Sequence, residues 1–207
     1  MELSHWLSLF SICLLGAMSP GASLALVLNT TLQGGRGQGL QSATAHGFGV
    51  GLYGLLTVTG LAVLVANSPT LFLAIQLAGA AYLLYLGIGA LRSKGSAIPS
   101  ADQPGEATHS AAVSGFLVAF LNPKLAIFML ALFSQFLQPG MGLAEKGIMV
   151  ATVGITDALW YSLIAILVSH PAFFDRLQRS SVTIDRVFGV ILIVVALGVL
   201  YRALMEY

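Results

Sequence analysis

Three ionisable side chains stand inside stretches otherwise too apolar to hold charge: Asp157 in Thr156-Asp157-Ala158-Leu159, His46 in Thr44-Ala45-His46-Gly47, and Lys124 in Asn122-Pro123-Lys124. An ionised Asp at membrane depth costs on the order of 3 kcal/mol by insertion scales, so Asp157 is expected to face a bundle interior or a water-filled cavity. A carboxyl so placed can trade a proton for a cationic amine, because burial and a neighbouring cation pull its ionisation in opposite directions. An acid that only hydrogen-bonds a neighbouring helix is the competing assignment. His46 offers a proton relay or a simple interior hydrogen bond. Lys124 offers an anion contact, a pair with Asp157, or a snorkelling side chain.

Two prolines interrupt apolar runs, in Ser19-Pro20-Gly21 and in Asn122-Pro123-Lys124. Proline removes a backbone donor and clashes with the preceding turn. Each break exposes carbonyls on one side and an amide-bearing helix start on the other. Such a pair can hold an ammonium at the carbonyl ends and a carboxylate at the helix start; a structural kink is the alternative for either proline alone. Asn122 can satisfy freed backbone groups or touch a ligand. Trp160 and Tyr161 follow Asp157 by three and four residues and share roughly its helical face, where they could wall a pocket or pack against lipid.

The elements that must position these residues are set by composition. The chain has 207 residues, 57% hydrophobic, with only 9 Lys and Arg and 8 Asp and Glu. Mean hydropathy is +0.90. A soluble domain carries roughly a quarter charged residues, so lipid must supply most of the solvent here. The net charge of +1 points away from nucleic acid. Cys13 stands alone, which excludes an internal disulfide and a thiolate metal cluster. No His-x-x-x-His spacing exists among His5, His46, His109 and His170, and no metal or cofactor is expected.

About six apolar stretches, over 7–28, 40–66, 70–91, 112–137, 147–169 and 184–201, each approach the ~20 residues that cross ~30 Å of hydrocarbon. They are apolar all round rather than alternating, which favours helices over strands. The fold class expected is an all-α membrane bundle of six helices in a single domain over 1–207. The N-terminus lacks a basic segment and reads as a retained first span. Residues 33–39 read as a flexible polar turn, and a polar linker over 95–109 separates halves over 1–94 and 110–207. Arg36, Arg92, Lys94, Arg176, Arg179 and Arg186 share one face against Lys146 and Arg202 on the other, which places both termini outside.

A shift of about 103 residues lays Ser19-Pro20-Gly21 over Asn122-Pro123-Lys124. Three spans per half is an odd number, so the second half is expected upside down relative to the first. Paired Pro or Gly interruptions in inverted halves are the sequence pointer to a transporter's substrate site. Gly47, Gly49, Gly51 and Gly54 allow close helix approach. Phosphate-loop, Gly-x-Ser-x-Gly and His-Glu-x-x-His motifs are absent, which removes support for ATP-driven transport and for the better-known intramembrane hydrolases.

Several segments occur together and in order: Ser19-Pro20-Gly21, Gly34-Gly35-Arg36-Gly37-Gln38-Gly39-Leu40, Leu77-Ala78-Gly79-Ala80-Ala81-Tyr82-Leu83, Asn122-Pro123-Lys124, Gln135-Phe136 and Asp157-Ala158-Leu159-Trp160. In these the chain resembles the LysE/RhtB translocator family of bacterial amino-acid exporters, over essentially its whole length. The resemblance implies secondary active export of amino acids or related small metabolites, coupled to a proton or ion gradient, across the bacterial cytoplasmic membrane. Two positions depart from the family pattern: Ala22 stands where a further proline is frequent, and Leu52 where an acid is frequent. The missing acid favours a neutral amino acid over lysine or arginine.

The residues expected at the site are Pro20, Gly21, Asn122, Pro123, Lys124 and Trp160 for substrate, with Asp157 and His46 for proton coupling. The partners expected are an amino acid, a coupling ion and lipid, with self-association left open. Export of a metal or other inorganic cation, using Asp157 and backbone carbonyls, is a second reading within transport. A non-transporting membrane enzyme or assembly subunit is the reading from another class.

Overall fold

The computed structural model describes residues 1–19, 21–94, 110–168 and 171–206, and every regular element among them is α-helix. Helices are what an apolar chain in lipid must form, because each backbone N–H and C=O has to be paired within its own segment. The helices are α1 (Leu3–Met18), α2 (Ala22–Asn67), α3 (Pro69–Leu91), α4 (Ala111–Phe120), α5 (Pro123–Phe136), α6 (Leu143–Leu167) and α7 (Pro171–Glu206). The linker expected over 95–109 and the first proline, Pro20, lie outside the described residues.

Seven described helices stand where six were expected, and the difference lies at the breaks. The stretch over 7–28 is cut after Met18, and the stretch over 112–137 is cut before Pro123, where α4 and α5 bend by 56°. Pro123 opens α5 at a position where the missing N–H costs nothing. The turn expected over 33–39 is instead absorbed into α2. There only Gly35 leaves helical conformation, at φ 79° and ψ 174°, a left-handed region open to glycine. α7 likewise begins at Pro171 rather than near 184, because its first turns are polar and a search for apolar runs passes over them.

Four helical segments are long and apolar enough to cross a membrane: α2, α3, α6 and Arg179–Met205 within α7. The bent α4–α5 pair makes a fifth if it counts as one crossing, and α1 is apolar but shorter. At 1.5 Å per residue α2 would run for about 69 Å if straight, more than twice the ~30 Å of hydrocarbon. Gly35 divides it. Gly140, between α5 and α6, is the other described residue in left-handed conformation.

α2 packs chiefly on α6 and α4, and α3 on α7 and α5. The main core gathers Leu9, Ile12, Leu61, Leu83, Phe133, Met149 and Leu192, and a second cluster joins Leu24, Leu28, Tyr161 and Ile164. The α2–α6 approach is backbone to backbone at Gly47. A Cβ there would lie 2.8 Å from both Ala158 N and Gly154 O. α1 is tied to α6 by the Trp6 indole N–H, which donates to Thr152 Oγ1 at 2.9 Å, and by the chain-terminal ammonium of Met1, which pairs with Glu145.

Candidate functional site

The close crossing at Gly47 sets the neighbouring His46 against Asp157. His46 Nδ1 lies 2.6 Å from Asp157 Oδ2, and His46 Nε2 lies 2.8 Å from Ser23 Oγ. Both His46 and Asp157 are buried, and Tyr161 meets the imidazole edge-on with ring centroids 5.1 Å apart. With Asp157 ionised, Nδ1–H donates to the carboxylate. Nε2 then accepts the Ser23 hydroxyl proton, or donates to that oxygen when the ring is protonated. Asp157, His46 and Ser23 thus form a continuous line along which one proton can be held or passed.

This line forms one wall of a cavity of about 670 Å³, a size typical of small-molecule sites. The same cavity is lined by Ser19 and Gly21 at the first break and by Asn122 and Lys124 at the second. The two breaks, about a hundred residues apart in sequence, therefore border one space. At the second break the Asn122 side chain accepts hydrogen bonds from Lys124 N at 3.0 Å and Leu125 N at 3.2 Å, capping α5. At the first break Gly21 caps α2 without a side-chain hydrogen bond. Lys124 is exposed and makes no ion pair with Asp157.

Five of the residues expected at the site line this cavity: Gly21, His46, Asn122, Lys124 and Asp157. Pro123 starts the helix beside it without lining it, and Pro20 lies outside the described residues. Trp160 points elsewhere. It lines an apolar groove of about 420 Å³ with Trp6, Phe10 and Leu14, and its indole N–H is buried without a hydrogen-bond partner. Tyr161, one residue on, lines the cavity instead, together with Tyr85, Phe128 and Phe188. Among the described residues no group of three or more His, Cys, Asp and Glu is placed to hold a metal.

Comparison with known proteins assigns the chain to a family. The family model described as LysE type translocator matches residues 14–203, nearly the whole chain. The chain belongs to the LysE family. An uncharacterized membrane protein of Pseudomonas aeruginosa is 32% identical over 168 residues, covering 77% of this chain and 78% of that one. The homoserine/homoserine lactone efflux protein of Salmonella typhimurium is 26% identical over 190 residues, covering 91% and 92%. The threonine efflux protein of Escherichia coli K12 is 22% identical over 188 residues, covering 89% and 91%. No solved structure matches this LysE chain.

The residues expected at the site omit several polar residues of this cavity, among them Ser23, Arg92, Ser93 and Asp185. Asp185 sits on α7 and is buried, accepting hydrogen bonds from Ser19 Oγ at 2.8 Å and Ser93 Oγ at 2.7 Å. Its neighbours in sequence, Arg179 and Arg186, give the stretch the composition of a solvated loop. The one available signal was its position at the start of the last apolar run.

Proposed function

We propose that this protein is a secondary active exporter of amino acids or related small metabolites in the bacterial cytoplasmic membrane, coupled to protons and working by alternating access. The observation that carries the reading is the cavity shared by both helix breaks and the His46–Asp157 pair. The efflux functions named for the Salmonella and Escherichia coli relatives support amino acids as the cargo class.

In this reading the chain crosses the membrane six times. α1 with the first part of α2 forms one crossing, residues 36–67 the second, α3 the third, α4 with α5 the fourth, α6 the fifth and the apolar part of α7 the sixth. Three observations support two inverted halves: a break in each, a left-handed glycine in each, and the packing of α2 on α6 and of α3 on α7. The imbalance of basic residues between the two faces supports termini on the outside.

Asp157 and His46 together hold the coupling proton, taken up from outside and released inside, while substrate leaves the cavity outward. Gly21, Asn122 and Lys124 contact substrate, with Lys124 supplying positive charge for its carboxylate. Pro20 and Pro123 shape the two breaks. The groove at Trp160 faces lipid. Nothing in this cycle makes or breaks a covalent bond in the cargo, so the protein is a transporter and not an enzyme.

The test is efflux of an amino-acid panel from preloaded cells carrying wild-type protein, Asp157→Asn at matched membrane abundance, or an empty vector. The expected result is faster efflux of a defined subset by the wild type alone. Wild-type efflux equal to the vector for every amino acid, at good expression, would overturn the assignment.

A further inference from the structure

Two buried carboxylates face the cavity, and their surroundings differ. Asp157 is matched by the imidazole of His46. Asp185, only 4% exposed, receives two serine hydroxyls, from Ser19 and Ser93, and no Lys, Arg or His among the described residues pairs with it. A carboxylate withdrawn from water is costly unless a positive charge offsets it, and two neutral donors offset only part of that cost. Ser19 also ends α1 as its C-cap. The last carbonyls of a helix carry partial negative charge. Carboxylate and helix end thus meet at one hydroxyl, and both favour a cation.

The cavity supplies the opposite charge as well, through Lys124 and Arg92, which line it with Asp185. A site with an unmatched acid and two bases on one wall system is complementary to a zwitterion. We propose that Asp185 accepts the primary ammonium group of the transported amino acid, with the Ser19 and Ser93 hydroxyls orienting its two oxygens. This rests on the exporter reading and identifies the residue that recognises the amine end of its cargo. Asp157 keeps the proton, and Asp185 reads the substrate.

The experiment is counterflow of labelled threonine in proteoliposomes holding the full chain as wild type, Asp185→Asn, Asp185→Glu or Ser93→Ala. Two truncated probes compete: 1-amino-2-propanol, which keeps the ammonium and lacks the carboxylate, and 3-hydroxybutyrate, which does the reverse. In Asp185→Asn the KM for threonine rises about tenfold or more with a smaller change in maximal rate. Inhibition by 1-amino-2-propanol is lost and inhibition by 3-hydroxybutyrate is kept. Asp185→Glu recovers part of the affinity.

Unchanged KM and unchanged amine inhibition in Asp185→Asn would overturn the proposal. Normal counterflow combined with loss of gradient-driven efflux would also overturn it and make Asp185 a coupling-ion residue. Should Asp185→Asn not fold, Ser93→Ala decides: the proposal requires a raised KM with weakened amine inhibition, and wild-type values reject it. Wild-type protein that exchanges no amino acid of a full panel sinks the exporter reading and this inference together, whereas active wild type with an indifferent Asp185→Asn sinks this inference alone.

Discussion

His46 Nδ1 and Asp157 Oδ2 stand 2.6 Å apart although 111 residues separate them in sequence. Neither side chain is well placed in an apolar bundle by itself. Together they bring one acid and one base into contact, so the pair can be net neutral while still able to gain or lose a proton.

That relationship predicts that the double variant is more stable than the single one. His46→Ala leaves Asp157 without its partner, and breaking a buried pair from one side typically costs about 3–5 kcal/mol. The double variant His46→Leu with Asp157→Leu removes both charges and regains most of the lost stability, since apolar replacements of buried pairs are often neutral. Efflux is absent in both. Thermal unfolding in detergent and efflux at matched abundance check this; a double variant that still exports would remove the pair from the transport cycle.

The crossing that makes the pair possible depends on the absence of a side chain at Gly47. A Cβ there would sit 2.8 Å from the backbone atoms Ala158 N and Gly154 O. Backbone cannot rotate away as a side chain can, so α2 and α6 must separate. Gly47→Ala is expected to destabilise by about 1–3 kcal/mol, the usual cost of overpacking, and to lengthen the His46–Asp157 contact. Gly60, also in α2, has open space around it, so Gly60→Ala should be neutral or slightly stabilising, by up to roughly 1 kcal/mol. Melting temperatures of the two variants measured side by side would show the contrast, and equal shifts would contradict it.

Much of the site was legible because charge and proline stand out against an apolar background. Asp157, His46, Lys124 and Asn122 were each conspicuous in runs that lacked other polar groups of their kind, and all four line the cavity. Asp185 was invisible for the opposite reason: beside Arg186 it looks like any loop acid, and only the fold buries it. Trp160 and Tyr161 show the limit of helical periodicity. Residues three and four after Asp157 fall about 60° and 40° to either side of it, and only the positions of the neighbouring helices decide that Tyr161 faces inward and Trp160 outward. Glycine composition likewise suggested a loose turn over 33–39, where helix formation on both sides leaves only Gly35 outside it.

Asn122 separates a capping role from a ligand role. Its side-chain oxygen accepts from Lys124 N and Leu125 N, so Asn122→Ala leaves two donors at the start of α5 without their cap and should cost about 1 kcal/mol. Asn122→Ser keeps a capping oxygen and should restore stability. If efflux returns with stability in Asn122→Ser, the residue serves the helix; if stability returns and the KM stays high, the amide also touches substrate.

The orientation can be tested without transport. In the proposed arrangement Arg92 and Lys94, which follow α3, share a face with Arg36 and Arg186, and Gly140, in the α5–α6 connection, lies on the opposite face. In a Cys13→Ala background, Lys94→Cys should react with a membrane-impermeant maleimide only in inside-out vesicles, and Gly142→Cys, where a side chain meets no neighbour within 4 Å, only in intact spheroplasts. Cys13 has to be removed because it lines the cavity. The basic-residue imbalance between the two faces predicts this pattern, and labelling of both positions from one side would mean that the chain crosses between them an even number of times, against the six-crossing arrangement with two inverted halves.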